Sequence, residues 1–291
     1  MAITGRTQLT GIVGYPVGHS LSPAMQNAAF EALGLDYCYI PLNVAPARLG
    51  AVVQSLRDLG FRGFNVTIPH KESIGVYLDR LTPEARLIGA VNTVENRRGR
   101  LIGHNTDGRG FLASLKEDLN LNVRDRKILI LGAGGAARAV AFQAALEGAS
   151  LLLANRTRSR VKALARDLVK KIKGVGIISL SWSEKALREA AGQADIIVNA
   201  TSVGMKTDDP ALLPKDSFRP DQIVCDLVYR PLDTVFLTQA RLSGARTVNG
   251  LGMLAHQGAL SFEIWTDRKP PLLVMTGALK KALEGRETEI P

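Results

Sequence analysis

The chain has 291 residues, of which 46% are hydrophobic and 22% are charged. This length suits two domains, and the composition is typical of a water-soluble globular protein, since no window approaches the roughly 18 consecutive apolar residues that a membrane helix needs. Only Cys38 and Cys225 occur, each in an apolar segment, which excludes a CxxC redox pair and a thiolate metal cage. Residues 1–10 contain no apolar stretch, so we expect no secretory signal and a cytoplasmic protein.

The net charge of +10 leaves three kinds of partner open: nucleic acid, a membrane surface or a small anionic ligand. Basic residues are most concentrated in 156–173, where apolar residues interleave with them at helical spacing. This pattern indicates that most of these basic residues form the solvated face of one amphipathic helix. An aromatic content of 5% hardly supplies the aromatic and basic face of a nucleic-acid-binding protein. We therefore expect no nucleic acid and no membrane among the partners.

In the first third of the chain, strand-like and helix-like segments alternate. Residues 9–13, 37–42 and 64–67 are predicted strands, and 47–59 is an amphipathic helix, so a mainly parallel sheet follows. Ser22-Pro23 and Thr82-Pro83 each predict a helix start, with a capping hydroxyl followed by proline at the first helical position. Strands at 92–95 and 100–103 flank a turn-rich segment and predict a hairpin near residue 97.

Six short apolar runs follow from Lys127 onward, and helical stretches separate most of them. The predicted strands are 128–131, 150–154, 175–179, 196–200, 223–227 and 247–249, and the helices between them are 136–147, 158–171, 184–191 and 234–243. This alternation predicts a doubly wound α/β sheet. Beyond Gly250 the pattern is helical only, at 252–262 and 272–283. We therefore predict two α/β domains, 1–107 and 108–250, the first completed by helices from 251–291.

A glycine-rich loop follows the first strand of the second domain. Gly132, Ala133, Gly134, Gly135 and Ala136 lie between strand 128–131 and a helix, which is the context that the G-x-G-x-x-G/A dinucleotide pattern requires. Glycines there let the backbone turn tightly and approach a pyrophosphate at the helix N-terminus. The ordinary alternative, a glycine-rich turn without a ligand, is disfavoured by the six-strand pattern around it.

The end of the next strand indicates which dinucleotide binds. NAD-binding folds carry Asp or Glu about 20 residues beyond the glycines, where it holds the ribose hydroxyls and repels a 2′-phosphate. Here Asn155 and Arg156 stand at that strand end, with Thr157 and Arg160 just beyond. Arg160 is placed one helical turn beyond Arg156, so both guanidiniums could pair with one phosphate. The sequence therefore favours NADP over NAD.

Four polar segments of the first domain each follow or end an apolar run. They are 18–23 (GHSLSP), 65–71 (NVTIPHK), 90–93 (AVNT) and 103–108 (GHNTDG). Short polar side chains gathered at the carboxyl ends of strands suit a polyhydroxylated substrate. Single residues of these segments have plainer explanations: Ser22 could cap a helix, Asn105 and Asp107 could form turns, and Lys71 could be a surface lysine.

Together these segments resemble the shikimate dehydrogenase family, whose patterns G-x-S-L-S-P, N-V-T-x-P-x-K, A-V-N-T and N-T-D-G occur here in family order. The resemblance continues through 132–137, 155–157, 199–205 (NATSVGM), 226–229 (DLVY) and 250–258 (GLGMLAHQG), and so spans nearly the whole chain. It implies reversible, NADP-dependent reduction of 3-dehydroshikimate to shikimate, in aromatic amino acid biosynthesis. The domains would be an N-terminal substrate-binding domain and a C-terminal Rossmann NADP-binding domain, in a monomer or homodimer.

Carried over residue by residue, the resemblance implies a catalytic pair, Lys71 and Asp107. The implied substrate contacts are Ser20, Ser22, Asn65, Thr67, Asn92, Asp107, Gln257 and, near the carboxylate, Tyr229. The implied cofactor contacts are Gly132, Ala133, Gly134, Gly135, Ala136, Asn155, Arg156, Thr157, Arg160, Thr201, Ser202, Met205, Gly250 and Met253. The sequence leaves open whether Lys71 transfers the proton while Asp107 orients it, or Asp107 relays the proton itself. No metal is expected, because the four histidines show no ligand spacing.

Two alternatives remain at this stage. An NAD-using quinate/shikimate dehydrogenase is disfavoured by the missing acid near Asn155. A non-catalytic NADP-sensing protein on the same fold is disfavoured by the presence of both Lys71 and Asp107.

Overall fold

The computed structural model describes residues 3–206 and 208–287. It divides into two compact units: one holds the described residues up to Gly110 together with those from Leu254 onward, and the other is Phe111–Met253. Among the described residues, no helix is both long and apolar enough to cross a membrane.

The first unit contains a six-stranded, mainly parallel sheet. Its strands are β1 (Gln8–Gly14), β2 (Tyr37–Asn43), β3 (Gly63–Val66), β4 (Arg80–Leu81), β5 (Thr93–Arg97) and β6 (Arg100–His104), in the order β2-β1-β3-β5-β6-β4. β1 pairs parallel with β2 and β3, whereas β5 runs antiparallel to β3 and β6. The predicted hairpin is confirmed, with Arg98 and Gly99 at positive φ in its turn. The two-residue β4, which pairs parallel with β6, was not predicted because it is too short to show an alternating pattern.

The strand directions bring four chain segments to one edge of this sheet. β1, β3 and β6 all end there, and the antiparallel β5 begins there. The polar segments that follow β1, β3 and β6, and the one that precedes β5, therefore lie along the same edge.

Helices cover this sheet. They are α1 (Ser22–Ala32), α2 (Leu49–Asp58), α3 (Pro83–Ile88) and the ends, within this unit, of α4 (Asp107–Leu119) and α9 (Gly250–Thr266), together with α10 (Leu272–Glu287). The predicted cap of α3 is confirmed, because Thr82 Oγ1 accepts a hydrogen bond of 3.2 Å from Ala85 N. The predicted cap at Ser22 is wrong: Ser22 is already inside α1, Leu21 precedes it, and among the described residues no side chain caps this end.

Aromatic side chains join helix α9 to the sheet and to α1. Trp265 of α9 is fully buried and donates from its indole nitrogen to the Val94 carbonyl of β5 at 3.0 Å. A side chain at Gly63 of β3 would collide with that indole, so the glycine is required by the close approach of α9. Phe262 stacks on Phe30 of α1 with ring centroids 5.2 Å apart. Helix α9 thus packs directly over the strands that carry the polar segments.

The second unit has a fully parallel, doubly wound sheet, as predicted. Its strands are β7 (Lys127–Leu131), β8 (Ser150–Ala154), β9 (Ile177–Leu180), β10 (Ile196–Asn199), β11 (Ile223–Asp226) and β12 (Arg246–Val248), in the order β12-β11-β10-β7-β8-β9. The helices between them are α5 (Gly135–Leu146), α6 (Arg158–Lys171), α7 (Glu184–Gln193) and α8 (Val235–Leu242). The strand order reverses beside β7, which creates the crevice where such folds bind ligands.

Candidate active site

An ion pair lies at the edge where the polar segments meet. Lys71 stands in the turn after β3, and Asp107 is the first residue of α4 after β6. Lys71 Nζ donates to Asp107 Oδ2 at 2.6 Å, with 15% and 4% of the two side chains exposed. A charge-assisted hydrogen bond of this length is strong and holds both groups in one orientation. Of the plainer explanations, a surface lysine at position 71 is excluded by this burial.

Asn92, which immediately precedes β5, fixes the other oxygen of that carboxylate. Its side-chain nitrogen lies 2.9 Å from Asp107 Oδ1, 2.8 Å from Thr106 Oγ1 and 3.1 Å from Gln257 Oε1. Its oxygen accepts from the backbone N–H of Thr106 at 2.8 Å. The carboxamide is therefore held from both ends, with the NH₂ group directed at Asp107.

Gln257 of α9 is joined to the same group of side chains. Its backbone carbonyl accepts from Thr106 Oγ1 at 3.0 Å, and its own side-chain nitrogen donates to the Leu254 carbonyl at 2.8 Å. Four residues predicted from sequence, namely Lys71, Asn92, Asp107 and Gln257, are thus within one hydrogen-bonded cluster. Such a cluster can accept and donate at a hydroxylated carbon while keeping its own charges paired.

Asn65, at the end of β3, is more deeply enclosed than the sequence indicated. Its side-chain oxygen accepts from the Tyr39 hydroxyl at 2.7 Å, and its nitrogen lies 3.0 Å from the Asn92 carbonyl and 3.1 Å from Thr93 Oγ1. A third neighbour, Ser261 Oγ, is 3.0 Å away. The protein itself thus uses every donor of this amide, and its predicted contact with a substrate stays a prediction.

The remaining predicted substrate contacts differ in their surroundings. Ser20 and Ser22 are both buried, and Ser20 Oγ accepts from the Ser22 backbone N–H at 3.2 Å. Thr67 is half-buried, and a side chain at Gly14 would collide with its methyl group. Tyr229 is half-buried in the second unit, where it follows β11. Their roles also stay predictions.

Three side chains of this cluster were missed as functional candidates. Thr93 and Thr106 stand beside predicted residues in the A-V-N-T and N-T-D-G segments, but nothing in those patterns separates a structural hydroxyl from one that contacts a substrate. Ser261 lies outside every motif. The only signal was its i+4 spacing from Gln257 on a predicted helix, which places both on one face.

In the second unit, the glycine-rich loop has the shape that a pyrophosphate needs. Gly132 has φ +122°, and a Cβ there would lie 2.7 Å from the Ala200 carbonyl, so two strand ends approach each other closely. At Gly134 a Cβ would meet nothing within 4 Å, so packing does not explain this glycine. α5 begins at Gly135, and among the described residues no side chain caps its start. Free backbone N–H groups beside open space fit a bound phosphate group.

The predicted phosphate-binding residues follow β8, next to this loop. The Gly132 N–H donates to the Ala154 carbonyl at 2.8 Å, which fixes the position of Asn155 beside the glycines. Asn155 is half-buried, while Arg156, Thr157 and Arg160 are exposed. One expectation is wrong: α6 begins at Arg158, so Arg156 precedes the helix and is not one helical turn from Arg160. The site nevertheless contains cations and no carboxylate at the end of β8, which fits a 2′-phosphate.

A buried acid organises the loop after β10. Asn199 donates to Asp226 Oδ1 at 2.9 Å, and its oxygen accepts from the backbone N–H and the hydroxyl of Thr201 at 2.9 and 2.7 Å. Asp226 Oδ2 accepts from Thr234 Oγ1 at 2.7 Å. Burial raises the pKa of Asp226 to about 6, although three hydrogen bonds oppose the shift. This network positions Thr201, a predicted cofactor contact, and lies in the same unit as Ser202, Met205, Gly250 and Met253.

Among the described residues, no group of three or more His, Cys, Asp and Glu side chains is arranged to hold a metal ion.

Comparison with known protein families matches three models along the chain. Residues 12–94 match the shikimate dehydrogenase substrate binding domain, residues 113–207 match shikimate / quinate 5-dehydrogenase, and residues 250–280 match the shikimate 5'-dehydrogenase C-terminal domain.

Individual relatives are similar to this chain over nearly its full length. The shikimate dehydrogenase (NADP(+)) of Methanopyrus kandleri is 46% identical over 97% of this chain and 98% of its own. The crystal structure of shikimate 5-dehydrogenase from Listeria monocytogenes in complex with shikimate and NAD has a TM-score of 0.88 at 42% identity, over 96% of this chain and 98% of that one. The crystal structure of shikimate 5-dehydrogenase from Thermus thermophilus in complex with NADP(H) and shikimate has a TM-score of 0.85 at 40% identity, over 95% of this chain and 100% of that one. This chain belongs to the shikimate dehydrogenase family.

Proposed function

We propose that this protein is an NADP-dependent shikimate dehydrogenase that catalyses the reversible reduction of 3-dehydroshikimate to shikimate. The observation that carries the proposal is the buried Lys71–Asp107 pair, held by Asn92 in a chain whose family is shown. The names of its relatives, which include NADP-dependent shikimate dehydrogenases, support the choice of substrate and cofactor.

Reduction of a ring ketone requires a hydride at the carbonyl carbon and a proton at its oxygen. The bound nicotinamide would supply the hydride. In the first unit, the Lys71 ammonium can donate the proton to the oxygen, and in the reverse direction the neutral amine can take it back. Asp107 orients the lysine, because its Oδ2 holds Nζ at 2.6 Å while Asn92 holds Oδ1. A relay of the proton through Asp107 is the alternative assignment.

Substrate recognition is proposed for Ser20, Ser22, Asn65, Thr67, Asn92, Asp107, Tyr229 and Gln257. Serine and threonine hydroxyls suit a carboxylate, and the amide groups, which both donate and accept, suit ring hydroxyls. For the cofactor, residues 132–136 would bind the pyrophosphate, and Asn155, Arg156, Thr157 and Arg160 the 2′-phosphate. Thr201, Ser202, Met205, Gly250 and Met253 are proposed for the rest of the dinucleotide. The cytoplasmic location and the monomeric or homodimeric state also remain predictions.

An NAD-using enzyme is the second candidate. The Listeria monocytogenes relative was crystallised with shikimate and NAD, so a similar fold holds either dinucleotide. The cationic end of β8, which offers no carboxylate to the ribose hydroxyls, favours NADP in this chain.

The test is to incubate the purified protein with 3-dehydroshikimate and NADPH, and separately with NADH, and to identify the product by mass spectrometry. Shikimate formed faster with NADPH supports the proposal. Shikimate formed equally fast with NADH supports the second candidate, and no product with either cofactor contradicts both.

A further inference from the structure

A line of cations lies along helix α6 of the second unit. Lys162, Arg166 and Lys170 are exposed and follow one another at intervals of four residues, which places them on one side of the helix. We refer to these three residues as the basic stripe. Asp167 is the one carboxylate in α6, and it pairs with Arg138 of α5 at 2.8 Å. Within the described part of the chain, no residue of the stripe is in an ion pair.

Packing does not explain the basic stripe. α6 is held against the sheet by Val161, Leu164 and Leu168, which are buried. Like charges four residues apart repel each other and weaken a helix, whereas glutamine has about the same helix propensity as lysine and arginine. Interspersed charges of both signs would keep the surface soluble equally well. The stripe therefore weakens the helix without a packing benefit, which indicates a role outside folding.

The stripe begins close to the residues proposed to bind the 2′-phosphate. β8 ends at Ala154 and α6 begins at Arg158, so Asn155, Arg156 and Thr157 lie directly before the helix. With a rise of about 1.5 Å per residue, Lys162 is about 6 Å and Lys170 about 18 Å from the start of the helix, measured along its axis. The basic stripe thus leads along the protein surface from the proposed phosphate site.

A line of cations beside a site acts on an anionic ligand before the ligand binds. NADPH carries a pyrophosphate and a 2′-phosphate, and the 2′-phosphate alone adds close to two negative charges at neutral pH. Cations near a binding site attract such a ligand from solution and raise the rate of productive encounter. An acidic protein would be the other kind of occupant. However, α6 contains no aromatic residue of the kind that anchors protein interfaces.

We propose that the basic stripe steers NADP(H) to its site: it raises the association rate constant of the cofactor without contacting the bound cofactor. This inference rests on the proposed function for the identity of the ligand. It adds a role for three residues that lie beyond the proposed cofactor contacts.

The experiment compares two double variants that each remove two positive charges from the second unit. The test variant is Lys162→Gln with Arg166→Gln. The control is Arg126→Gln with Arg246→Gln, since both arginines are exposed and, in the described residues, neither is in an ion pair. Arg126 directly precedes β7 and Arg246 begins β12. Because the sheet is parallel, both lie at the edge opposite the one where β8 ends.

Association and dissociation of NADPH are followed by stopped-flow fluorescence. At an ionic strength of about 0.1 M, where charges act over about 10 Å, the test variant should lower the association rate constant about 3-fold and the control by less than about 1.3-fold. The dissociation rate constant should stay unchanged in both. With NADH, which carries fewer charges, the test variant should lose less than about 2-fold, and at about 1 M salt the difference between the variants should vanish.

Single variants test whether position matters. Lys170 lies about 12 Å beyond Lys162 along the helix, which exceeds the screening distance at about 0.1 M salt. Lys162→Gln should therefore slow association more than Lys170→Gln, and neither variant should have a lower Tm than the wild type, because each removes a like-charge repulsion. Equal slowing by the two variants would show that net charge alone acts, which contradicts the proposal. A lowered Tm with unchanged association would make the stripe structural.

The remaining outcomes separate this proposal from the proposed function. A wild type that does not bind NADPH refutes both. A wild type that binds NADPH at the same rate as the test variant refutes steering alone, and a faster dissociation at an unchanged association rate would instead make the stripe a direct contact. Retention of the wild type, but not of the test variant, on immobilised polyglutamate, with equal association rates for NADPH, would assign the stripe to an acidic protein partner and overturn the proposal.

Discussion

Asp226 provides a quantitative test of the electrostatics of the second unit. It is 1% exposed, and burial raises its pKa from 3.8 to about 6. Because the folded-state pKa lies above the unfolded one, the contribution of Asp226 to stability is complete below pH 4 and is lost as the pH rises through about 6. A shift of roughly two pKa units corresponds to about 3 kcal/mol.

The perturbation is Asp226→Asn. The carboxamide oxygen can still accept from Asn199 and from the Val228 N–H, and its nitrogen can donate to Thr234 in place of the accepted bond. The variant keeps the shape of the network but cannot ionise. We therefore expect the unfolding free energy of the wild type, relative to Asp226→Asn, to fall by about 3 kcal/mol as the pH rises from below 4 to above 6.

The assay is urea unfolding at a series of pH values. Unfolding is monitored by pulsed hydrogen exchange in peptides that cover β10 and β11, so that the signal reports on the second unit. Asp209→Asn is the control of opposite sign. Hydrogen bonds from the backbone N–H groups of Lys206 and Gly204 lower the pKa of Asp209, so its contribution is lost as the pH falls. A wild-type-to-Asp226→Asn difference that does not vary with pH would refute the reasoning about burial.

Three further predictions concern proton transfer by Lys71 and the binding of the cofactor. Lys71→Ala should lower kcat about 100-fold or more while shikimate binding, measured by calorimetry, stays largely intact; near-normal turnover with lost affinity would make Lys71 a binding residue. We expect the wild type to prefer NADP+ over NAD+ by about 100-fold in kcat/KM, and rising salt should reduce that preference. Asn155→Asp combined with Arg156→Gln should reverse it. A wild type with equal kcat/KM for the two cofactors and no effect of salt on their ratio would contradict this. Gly134→Ala should leave the Tm unchanged, because the added methyl group meets open space, but it should raise the KM for NADP+ about 10-fold. Gly132→Ala, at a left-handed position, should lower the Tm. An unchanged KM for NADP+ in Gly134→Ala would show that this glycine is not part of the cofactor site.

The fold could be predicted from sequence where local patterns and tertiary packing agree. The strand at Ser150–Ala154 and the helix at Arg158–Lys171 have the predicted bounds, because a fully buried apolar run and a clear amphipathic period leave little choice. The strand predicted at 175–179 is Ile177–Leu180 instead, since Gly174 adopts a left-handed turn and delays the pairing. Ser22 was misassigned as a cap because serine before proline has the same local pattern whether it precedes the helix or begins it.

The candidate site could be predicted in its residues but not in its connections. Motifs indicated Lys71, Asn92 and Asp107, and the antiparallel β5 brings them together although they are far apart in the chain. Ser261 accepts a hydrogen bond from Asn65, and Asp226 accepts one from Asn199, so these two buried hydrogen bonds join elements that are distant in sequence. No local spacing encodes such contacts, so only the folded chain shows them.

The most direct test of the central claim is the paired initial rate of NADP+ reduction by shikimate, in wild type and Lys71→Ala, with NAD+ as the second acceptor. The account predicts rapid reduction of NADP+ by the wild type, slower reduction of NAD+, and loss of both in the variant with shikimate binding retained. A wild type that binds shikimate and NADP+ but transfers no hydride would contradict it, as would a Lys71→Ala variant with wild-type rates.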